Sequence, residues 1–252
     1  LVTWQGCQRS GKSTLLNALF GTDFPVLDAS TPGPMALGRT TVGASEDGQT
    51  ASDRQQLVLI DLEGMQGRER GAGAVDFDSR TALFAVIAAD AVILNLWARD
   101  AVSPDDAGYV VLRSVFREAR RLRLLAAPPT GAAEAGNRAP PRRKALVVVF
   151  RDADVAGGGG DAFGEGGGDG AKQEQLRALA VLVGERMRQL WAAAVDEASG
   201  TSDAAVAMEL TDAFDVQFFS LPHFRYDAAG FAAGAAAVAR IFSDPASPNY
   251  LF

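Results

Sequence analysis

The sequence has little of several residue types on which whole classes of function depend. Its 252 residues include one cysteine, Cys7, and one histidine, His223. A single cysteine excludes an internal disulfide and suits a reducing compartment, and a single histidine excludes a metal site built from several histidines. Lysine and arginine number 24 against 31 acidic residues. The resulting net charge of −7 argues against a nucleic-acid groove.

A long uninterrupted apolar run is also missing. The longest candidate, ALFAVIAADAVILNLWA at 82–98, contains Asp90 and Asn95 and falls short of the roughly 18 clean apolar residues that a membrane span needs. It is typical of a helix end that continues into a buried strand. No signal peptide is evident. Because the chain begins at Leu1 and ends in SPNYLF, we expect it to be a piece of a longer protein.

A glycine-rich loop stands at the front of the chain, within GCQRSGKSTLLNALFGTDF at 6–24. Its spacing, Gly6-x-x-x-x-Gly11-Lys12-Ser13, is typical of the phosphate-binding loop (P-loop) of nucleoside triphosphatases, whose glycines let backbone N–H groups approach phosphate oxygens. Lys12 supplies a charge for the β- and γ-phosphates, and the Ser13 hydroxyl is a ligand for Mg²⁺. The predicted nucleotide-binding residues here are Gly6, Gln8, Arg9, Ser10, Gly11, Lys12, Ser13 and Thr14.

A second motif, LVLIDLEG at 57–64, places an aspartate at the end of an apolar run. Walker-B chemistry requires such an aspartate beside the magnesium ion, and we predict that Asp61 holds Mg²⁺ through a water molecule. The Asp-x-x-Gly spacing lets the amide of Gly64 meet the γ-phosphate. Between the two motifs, ALGRTTVGA contains the adjacent hydroxyls of Thr40 and Thr41, which we expect in a loop.

A third motif, ALVVVFRDAD at 145–154, ends a predicted buried strand with Arg151 and Asp152. A carboxylate there can accept from both guanine N1–H and the exocyclic amine, whereas adenine presents an acceptor at that position. The usual Asn-Lys-x-Asp motif is absent. From the residues alone, the Arg-Asp dipeptide is no more than a candidate surface ion pair.

The order of apolar runs and helical patterns predicts an α/β fold. Strands are expected at 1–4, 57–61, 91–97, 145–150 and 216–221, and helices at 13–20, 79–88, 109–125, 173–194 and 228–242. This alternation predicts a single P-loop NTPase domain over residues 1–252, with a largely parallel central sheet and helices on both faces. Low-complexity segments near 126–143 and 156–170 are expected to be insertions in surface loops. The arginine run of the third helix is expected to face solvent.

Several motifs together resemble the G domain of the root-hair-defective family, plant and fungal membrane-fusion GTPases of the endoplasmic reticulum related to atlastins and guanylate-binding proteins. The resemblance lies in GCQRSGKSTLLNALFGTDF, GRTTVG, DLEGMQGRERG, ALFAVIAADAVILNLWARD, FRDAD and LPHF, of which DLEGMQGRERG is the most specific. It implies GTP as substrate, with Arg151 and Asp152 as the guanine pair and Thr41 as the switch threonine and a magnesium ligand. It also implies that LPHF caps the base and that His223 is a loop residue rather than a catalyst.

The resemblance also bears on Arg9. Plant and yeast members carry a small residue at this position, whereas atlastins and guanylate-binding proteins carry an arginine that acts as a finger in cis. We therefore predict Arg9, Lys12 and Thr41 as the catalytic set, and the alternative is an Arg9 side chain that points to solvent.

The protein that this resemblance implies is a dynamin-like GTPase of the endoplasmic-reticulum membrane. Its G domain faces the cytosol and pairs with a second copy through the nucleotide-binding face, and membrane contact involves only segments outside this chain. Two alternatives from other classes stay open at this point. One is a P-loop ATPase, and the other is a nucleotide-binding scaffold that dimerises with little hydrolysis.

Overall fold

The computed structural model describes residues 1–6, 11–24, 35–42, 55–62, 74–102, 107–126, 143–153, 169–198, 208–247 and 250–251. The strands in these ranges are β1 (Val2–Gly6), β2 (Met35–Val42), β3 (Gln55–Leu62), β4 (Ala91–Trp97), β5 (Lys144–Arg151) and β6 (Phe214–Leu221). The helices are α1 (Lys12–Phe20), α2 (Ala74–Ala88), α3 (Ala107–Ala126), α4 (Asp169–Ala198), α5 (Leu210–Ala213) and α6 (Ala228–Ser243). A 3₁₀ turn covers Asp100–Val102.

All six of these strands belong to one sheet, in the order β2-β3-β1-β4-β5-β6. Five of them run parallel, and β2 pairs with β3 in the antiparallel sense at the edge. The predicted α/β P-loop fold with a largely parallel sheet is therefore confirmed. Because the strand order changes direction beside β1, a crevice for ligands is expected outside the carboxyl ends of β1 and its neighbours.

The apolar core lies on both faces of the sheet because side chains alternate along each strand. In β4, Val92 and Leu94 pack into the cluster that contains α3 and α4, whereas Ala91 and Ile93 pack into the cluster that contains α1 and α6. A parallel strand covered on both faces reads as a continuous apolar run. This is why AVILNLW and ALVVVF predicted strands correctly.

The edge strand β2 corrects the expectation of a loop around the threonine pair. Thr40 pairs with Leu57, and Thr41 pairs with Gln56. Threonine and valine favour extended backbone, and the adjacent edge of β3 offers hydrogen-bond partners for the whole stretch. The stretch expected to be a loop is therefore a strand, because it pairs with the edge of β3.

The two longest helices extend further than their apolar patterns indicated. α3 continues through Ala126 and α4 begins at Asp169, so each takes in the edge of a predicted insertion. Residues 127–142 and 154–168, which make up the rest of the insertions, lie outside the described residues. None of the described helices is both long enough and apolar enough to cross a membrane.

The arginine run of α3 is partly internal, which corrects the expectation that it faces solvent. Arg120 is fully buried, with its guanidinium 5.0 Å from the centre of the Trp191 ring and 3.2 Å from the carbonyl oxygen of Met208, to which it donates. Arg117 donates to the hydroxyl of Ser79 at 2.6 Å. Because α3 packs against both α2 and α4, part of its arginine run is covered by these neighbours.

Candidate functional site

The described end of the predicted P-loop connects β1 to α1. Gly11 adopts a left-handed backbone with φ of 76° and caps the N-terminus of α1. Its carbonyl oxygen accepts from the amide of Leu15 at 3.1 Å and from Nη1 of Arg151 at 3.3 Å. The first amides of a helix have no partner within the helix, and a helix N-terminus is therefore a favourable place for an anion. Gly6 ends β1 beside it, and the predicted loop residues Gln8, Arg9 and Ser10 lie outside the described residues.

Replacing Gly11 with alanine is expected to lower the melting temperature more than the same change at Gly21. A Cβ at Gly11 would lie 2.5 Å from Nη1 of Arg151, whereas at Gly21, with φ of 62°, nothing lies within 4 Å. Both alanines carry a left-handed backbone cost of about 1–2 kcal/mol. Displacing the Arg151 hydrogen bond should add about 1 kcal/mol, or roughly 2–4 °C. Thermal unfolding of both variants measures the difference, and equal shifts would mean that Arg151 moves aside without cost.

Ser13 and Asp61 form the centre of the site, although 48 positions separate them in the chain. The hydroxyl of Ser13 donates to Oδ2 of Asp61 at 2.6 Å. Asp61 is fully buried, and its other oxygen, Oδ1, has no hydrogen-bond partner among the described residues. Burial raises the pKa of Asp61 above its ordinary value, and the Ser13 hydrogen bond and the charge of Lys12 act in the opposite direction. Lys12 is also buried, and Thr14 is half-buried in the same turn of α1.

The Ser13–Asp61 pair fits a magnesium ion. Hydroxyl and carboxylate oxygens are the ligands that this hard cation prefers, and the buried Oδ1 of Asp61 is an acceptor that an ion or its water would satisfy. Thr41 is not brought to this place. It pairs with Gln56, five positions before Asp61 (56 to 61) along β3, which is about 17 Å at the rise of a strand. Gly64 lies outside the described residues.

Arg151 connects the end of β5 to the P-loop. Its guanidinium donates to the carbonyl of Gly11 and lies 5.7 Å from the ring centres of both Trp97 and Phe231. Burial lowers the pKa of Arg151, and the charge of the adjacent Asp152 acts in the opposite direction. A guanidinium nevertheless stays protonated in proteins. Arg151, one residue of the predicted guanine pair, therefore contacts the phosphate end of the site through the Gly11 carbonyl.

Asp152 has the one left-handed backbone among the described residues other than glycine, with φ of 55°. This conformation costs about 1–2 kcal/mol, and such outliers concentrate at functional sites. Its Oδ1 is buried and has no hydrogen-bond partner among the described residues. Its Oδ2 lies 3.9 Å from Nε2 of His223. The arrangement leaves one carboxylate oxygen available to a ligand that donates hydrogen bonds.

Two supporting features were not recognised in the sequence. Trp97 and Phe231 flank Arg151. In the sequence, Trp97 belongs to an apolar run and Phe231 to a predicted helix, and both patterns are typical of ordinary core residues. Asn17 fixes the chain after α1, because its Oδ1 accepts from the Thr22 hydroxyl at 2.9 Å and from the Phe24 amide at 2.8 Å. The one available signal for Asn17 was a polar residue inside an apolar helix, four residues before Gly21.

Comparison with known proteins identifies the family of this chain. The model for the root hair defective 3 GTP-binding protein (RHD3) GTPase domain matches residues 5–155. Protein SEY1 of Yarrowia lipolytica is 31% identical over 256 residues, which cover 98% of this chain and 23% of that protein. Protein ROOT HAIR DEFECTIVE 3 homolog 2 of Oryza sativa subsp. japonica is 35% identical over 152 residues, which cover 60% of this chain and 16% of that protein.

Solved structures overlap the chain more loosely. The signal recognition particle receptor SRb-GTP/SRX complex from Chaetomium thermophilum covers 95% of this chain and 96% of its own, with a TM-score of 0.44 and 15% identity. That overlap is too low to carry an assignment. The chain spans about a quarter of the length of the SEY1 relative and less of the rice protein. Because the family model matches more than half of its residues, the chain belongs to the RHD3 family of GTP-binding proteins and is a GTPase domain.

Proposed function

We propose that this chain binds GTP together with Mg²⁺ at the carboxyl edge of its sheet and hydrolyses the γ-phosphate there. The observation that carries the proposal is the Ser13–Asp61 pair, which stands beside the N-terminus of α1 with one buried carboxylate oxygen unpartnered among the described residues. Membership in a family of GTPase domains supports the same conclusion.

The phosphate end of the proposed site consists of the P-loop and the first turn of α1. The proposed contacts are the backbone of Gly6 to Thr14, including Gln8 and Ser10, and the side chain of Lys12. When bound with the nucleotide, Mg²⁺ supplies positive charge beside the β- and γ-phosphates. Ser13 and Asp61 would hold it, and their mutual hydrogen bond keeps both oxygens in place beforehand. Gly64 is proposed to contact the γ-phosphate, by its spacing from Asp61.

Thr41 lies apart from the other proposed magnesium ligands. Its role rests on the family resemblance, and its pairing with Gln56 keeps it at the far end of β3. A part for Thr41 in the reaction therefore requires β2 to shift along or away from β3 when nucleotide binds. Thr41 is therefore not part of the pre-formed set of ligands.

The base end of the proposed site consists of the last residue of β5 and the residue that follows it. We propose that Asp152 accepts from guanine N1–H and the exocyclic amine, since its Oδ1 is buried and without a hydrogen-bond partner among the described residues. We propose that Arg151 acts beside it, because its hydrogen bond to the Gly11 carbonyl ties the base end to the phosphate end. A base that donates no hydrogen bond there would leave the Asp152 charge unpaired, which is costly in a buried place.

A comparison of nucleotides tests this proposal directly. We expect fluorescent GTP to bind more tightly than the matching ATP analogue, and phosphate release from GTP to require Mg²⁺. Tighter binding of ATP would favour a P-loop ATPase instead. Tight GTP binding without phosphate release, in the presence of Mg²⁺, would favour a dimerising scaffold.

For the whole protein we propose a dynamin-like GTPase that acts in membrane fusion and tubule network formation at the endoplasmic reticulum. Its GTPase domain would face the cytosol, and membrane contact would come from segments outside residues 1–252. The family membership supports this proposal. We also propose that residues 1–252 form a single domain, since all six described strands belong to one sheet.

The catalytic proposal for Arg9 links hydrolysis to pairing of two copies through the nucleotide-binding face. Arg9→Ala is expected to keep GTP affinity within a few-fold and to slow hydrolysis at least about tenfold, because the arginine charge matters mainly as charge shifts in the transition state. Single-turnover hydrolysis at two protein concentrations measures this, and the wild-type rate per molecule should rise with concentration. Arg113→Ala, on the exposed face of α3, is the control. Wild-type rates in Arg9→Ala would mean that its side chain takes no part.

A further inference from the structure

The sole histidine of the chain lies against the proposed guanine-reading carboxylate. β5 and β6 pair so that Arg151 is opposite Leu221, and the amide of Ala153 donates to the Leu221 carbonyl at 3.2 Å. This register brings Asp152, one residue past the pair, near His223, two residues past it. The side chains of Asp152 and His223 are 15% and 26% exposed, so both are only partly accessible to solvent.

The orientation of the His223 ring is fixed by two contacts of different kinds. The backbone amide of Arg225 lies 3.1 Å from Nδ1 of His223. An amide N–H only donates, so Nδ1 is the acceptor, and in the neutral imidazole the hydrogen is then on Nε2. The ring of Tyr226 stacks on the imidazole with centroids 4.3 Å apart and planes 28° from parallel. The first contact sets the rotation of the ring and the second restricts its tilt.

As a result, Nε2 of His223 lies 3.9 Å from Oδ2 of Asp152, a close polar approach that is longer than a hydrogen bond. The other oxygen, Oδ1, has no hydrogen-bond partner among the described residues. Asp152 thus has one oxygen next to a fixed N–H donor and one oxygen left for a ligand. Asp152 lies at a strand end with a left-handed backbone, and the imidazole beside its Oδ2 limits the space into which the carboxylate can turn.

We propose that His223 is a positioning residue for base recognition, which holds the Asp152 carboxylate in the orientation that accepts both guanine donors. The proposal rests on the proposed guanine-reading role of Asp152. It assigns the loop after β6 a part in specificity that acts through Asp152 and needs no contact between His223 and the nucleotide. Loss of this restraint should affect the second guanine hydrogen bond most, and hence the preference for GTP over inosine triphosphate, which lacks the exocyclic amine.

The first test uses His223 as its own reporter, since a single histidine gives a single imidazole signal. In nucleotide-free protein labelled with ¹⁵N-histidine, the neutral ring is expected to show the Nε2–H tautomer. The Nε2 resonance should shift in Asp152→Ala and stay in place in Asp100→Ala, a change at the end of the neighbouring strand. An Nδ1–H tautomer, or a resonance indifferent to Asp152, overturns the proposal without reference to GTP.

The second test separates the effect of the N–H donor of His223 from the effect of its ring. His223→Gln keeps an N–H donor of similar reach, and His223→Phe keeps a ring that can stack on Tyr226. We expect His223→Phe to weaken GTP binding about 3- to 10-fold, the value of one hydrogen bond, and to reduce the preference for GTP over inosine triphosphate. His223→Gln should retain most of both. Equal losses in the two variants would contradict a role for the donor.

A double-mutant cycle distinguishes failure of the positioning role of His223 from failure of the guanine-reading role of Asp152. In an Asp152→Ala background, His223→Phe should have no further effect on GTP affinity, because the group it positions is gone. If the two changes are additive, His223 acts on general structure and the positioning role is wrong. If Asp152→Ala alone leaves GTP affinity unchanged, the guanine-reading role itself fails, and the proposal fails with it. Melting temperatures of all variants identify any that are simply unfolded.

Discussion

Asp61→Asn is expected to abolish most Mg²⁺-dependent hydrolysis while making the nucleotide-free protein more stable near neutral pH. The carboxylate is fully buried, and burial is the largest influence on its pKa. An asparagine has the same shape and can still accept from Ser13, but it removes the buried charge. Without that charge a magnesium site loses several kcal/mol of transition-state stabilisation, which corresponds to about a thousandfold in rate. Phosphate release and thermal unfolding measure the two opposite effects.

The pH dependence of the stability gain follows from the direction of the pKa shift. Folding raises the pKa of Asp61 above the ordinary 3.8, so the native state holds this proton more tightly than the unfolded chain does. The penalty for the ionised form is absent below the unfolded pKa and complete above the raised folded pKa. The variant should therefore melt above wild type near neutral pH, and the difference should disappear as the pH falls toward 3.8.

A matched control for Asp61→Asn is Asp215→Asn, at an exposed position of β6. This control should change neither hydrolysis nor the pH dependence of unfolding by a comparable amount. A gain in melting temperature that is the same at every pH would show that the asparagine packs better, and that the buried charge is not the cause. Full Mg²⁺-dependent turnover in Asp61→Asn would remove Asp61 from the proposed site.

Asp152→Asn is expected to weaken GTP binding about a thousandfold and to improve binding of xanthosine triphosphate. Two hydrogen bonds to a charged acceptor contribute about 2 kcal/mol each, and about 1.4 kcal/mol is tenfold in affinity. The amide places a donor where guanine also has one, whereas xanthine has a carbonyl in place of the exocyclic amine. Equilibrium titration with both nucleotides measures the exchange of preference.

The control for this change is Asp100→Asn, which lies after β4 at the same edge of the sheet and pairs with Arg99 at 3.3 Å. It alters the local charge equally but leaves the proposed base contact intact. We expect no change of preference between the two nucleotides. If Asp152→Asn binds GTP as wild type does, the half-buried carboxylate has a structural role only, and another group reads the base.

Much of the fold was predictable because its signals are local. The P-loop spacing, the strand that ends at Asp61 and the apolar runs of β4 and β5 each depend on residues close together in the chain. A parallel strand buried on both faces has to be apolar throughout, so its sequence identifies it. The bounds of α3 and α4 were less predictable, since helix ends depend on packing as much as on pattern.

The position of the threonine pair shows where local signals fail. GRTTVG predicted a loop with a switch threonine, and the structure has an edge strand in which Thr41 pairs with Gln56. Edge pairing depends on which strand lies alongside, and no residue near Thr41 encodes the identity of that neighbour. Arg120 is a similar case, because a helical wheel does not reveal that α3 is packed between α2 and α4.

The sequence by itself determined which chemical groups are available: a Gly-x-x-x-x-Gly-Lys-Ser segment, an aspartate in an apolar strand and an Arg-Asp dipeptide at a strand end. Only the tertiary structure decided which groups meet. It brought Ser13 into a hydrogen bond with Asp61, Arg151 into a hydrogen bond with the carbonyl of Gly11, and His223 beside Asp152. These contacts arise from the order and register of parallel strands, which bring the ends of distant segments to one edge of the sheet. Strand order is a property of the whole packed chain, because it depends on which long-range pairings bury the most apolar surface together.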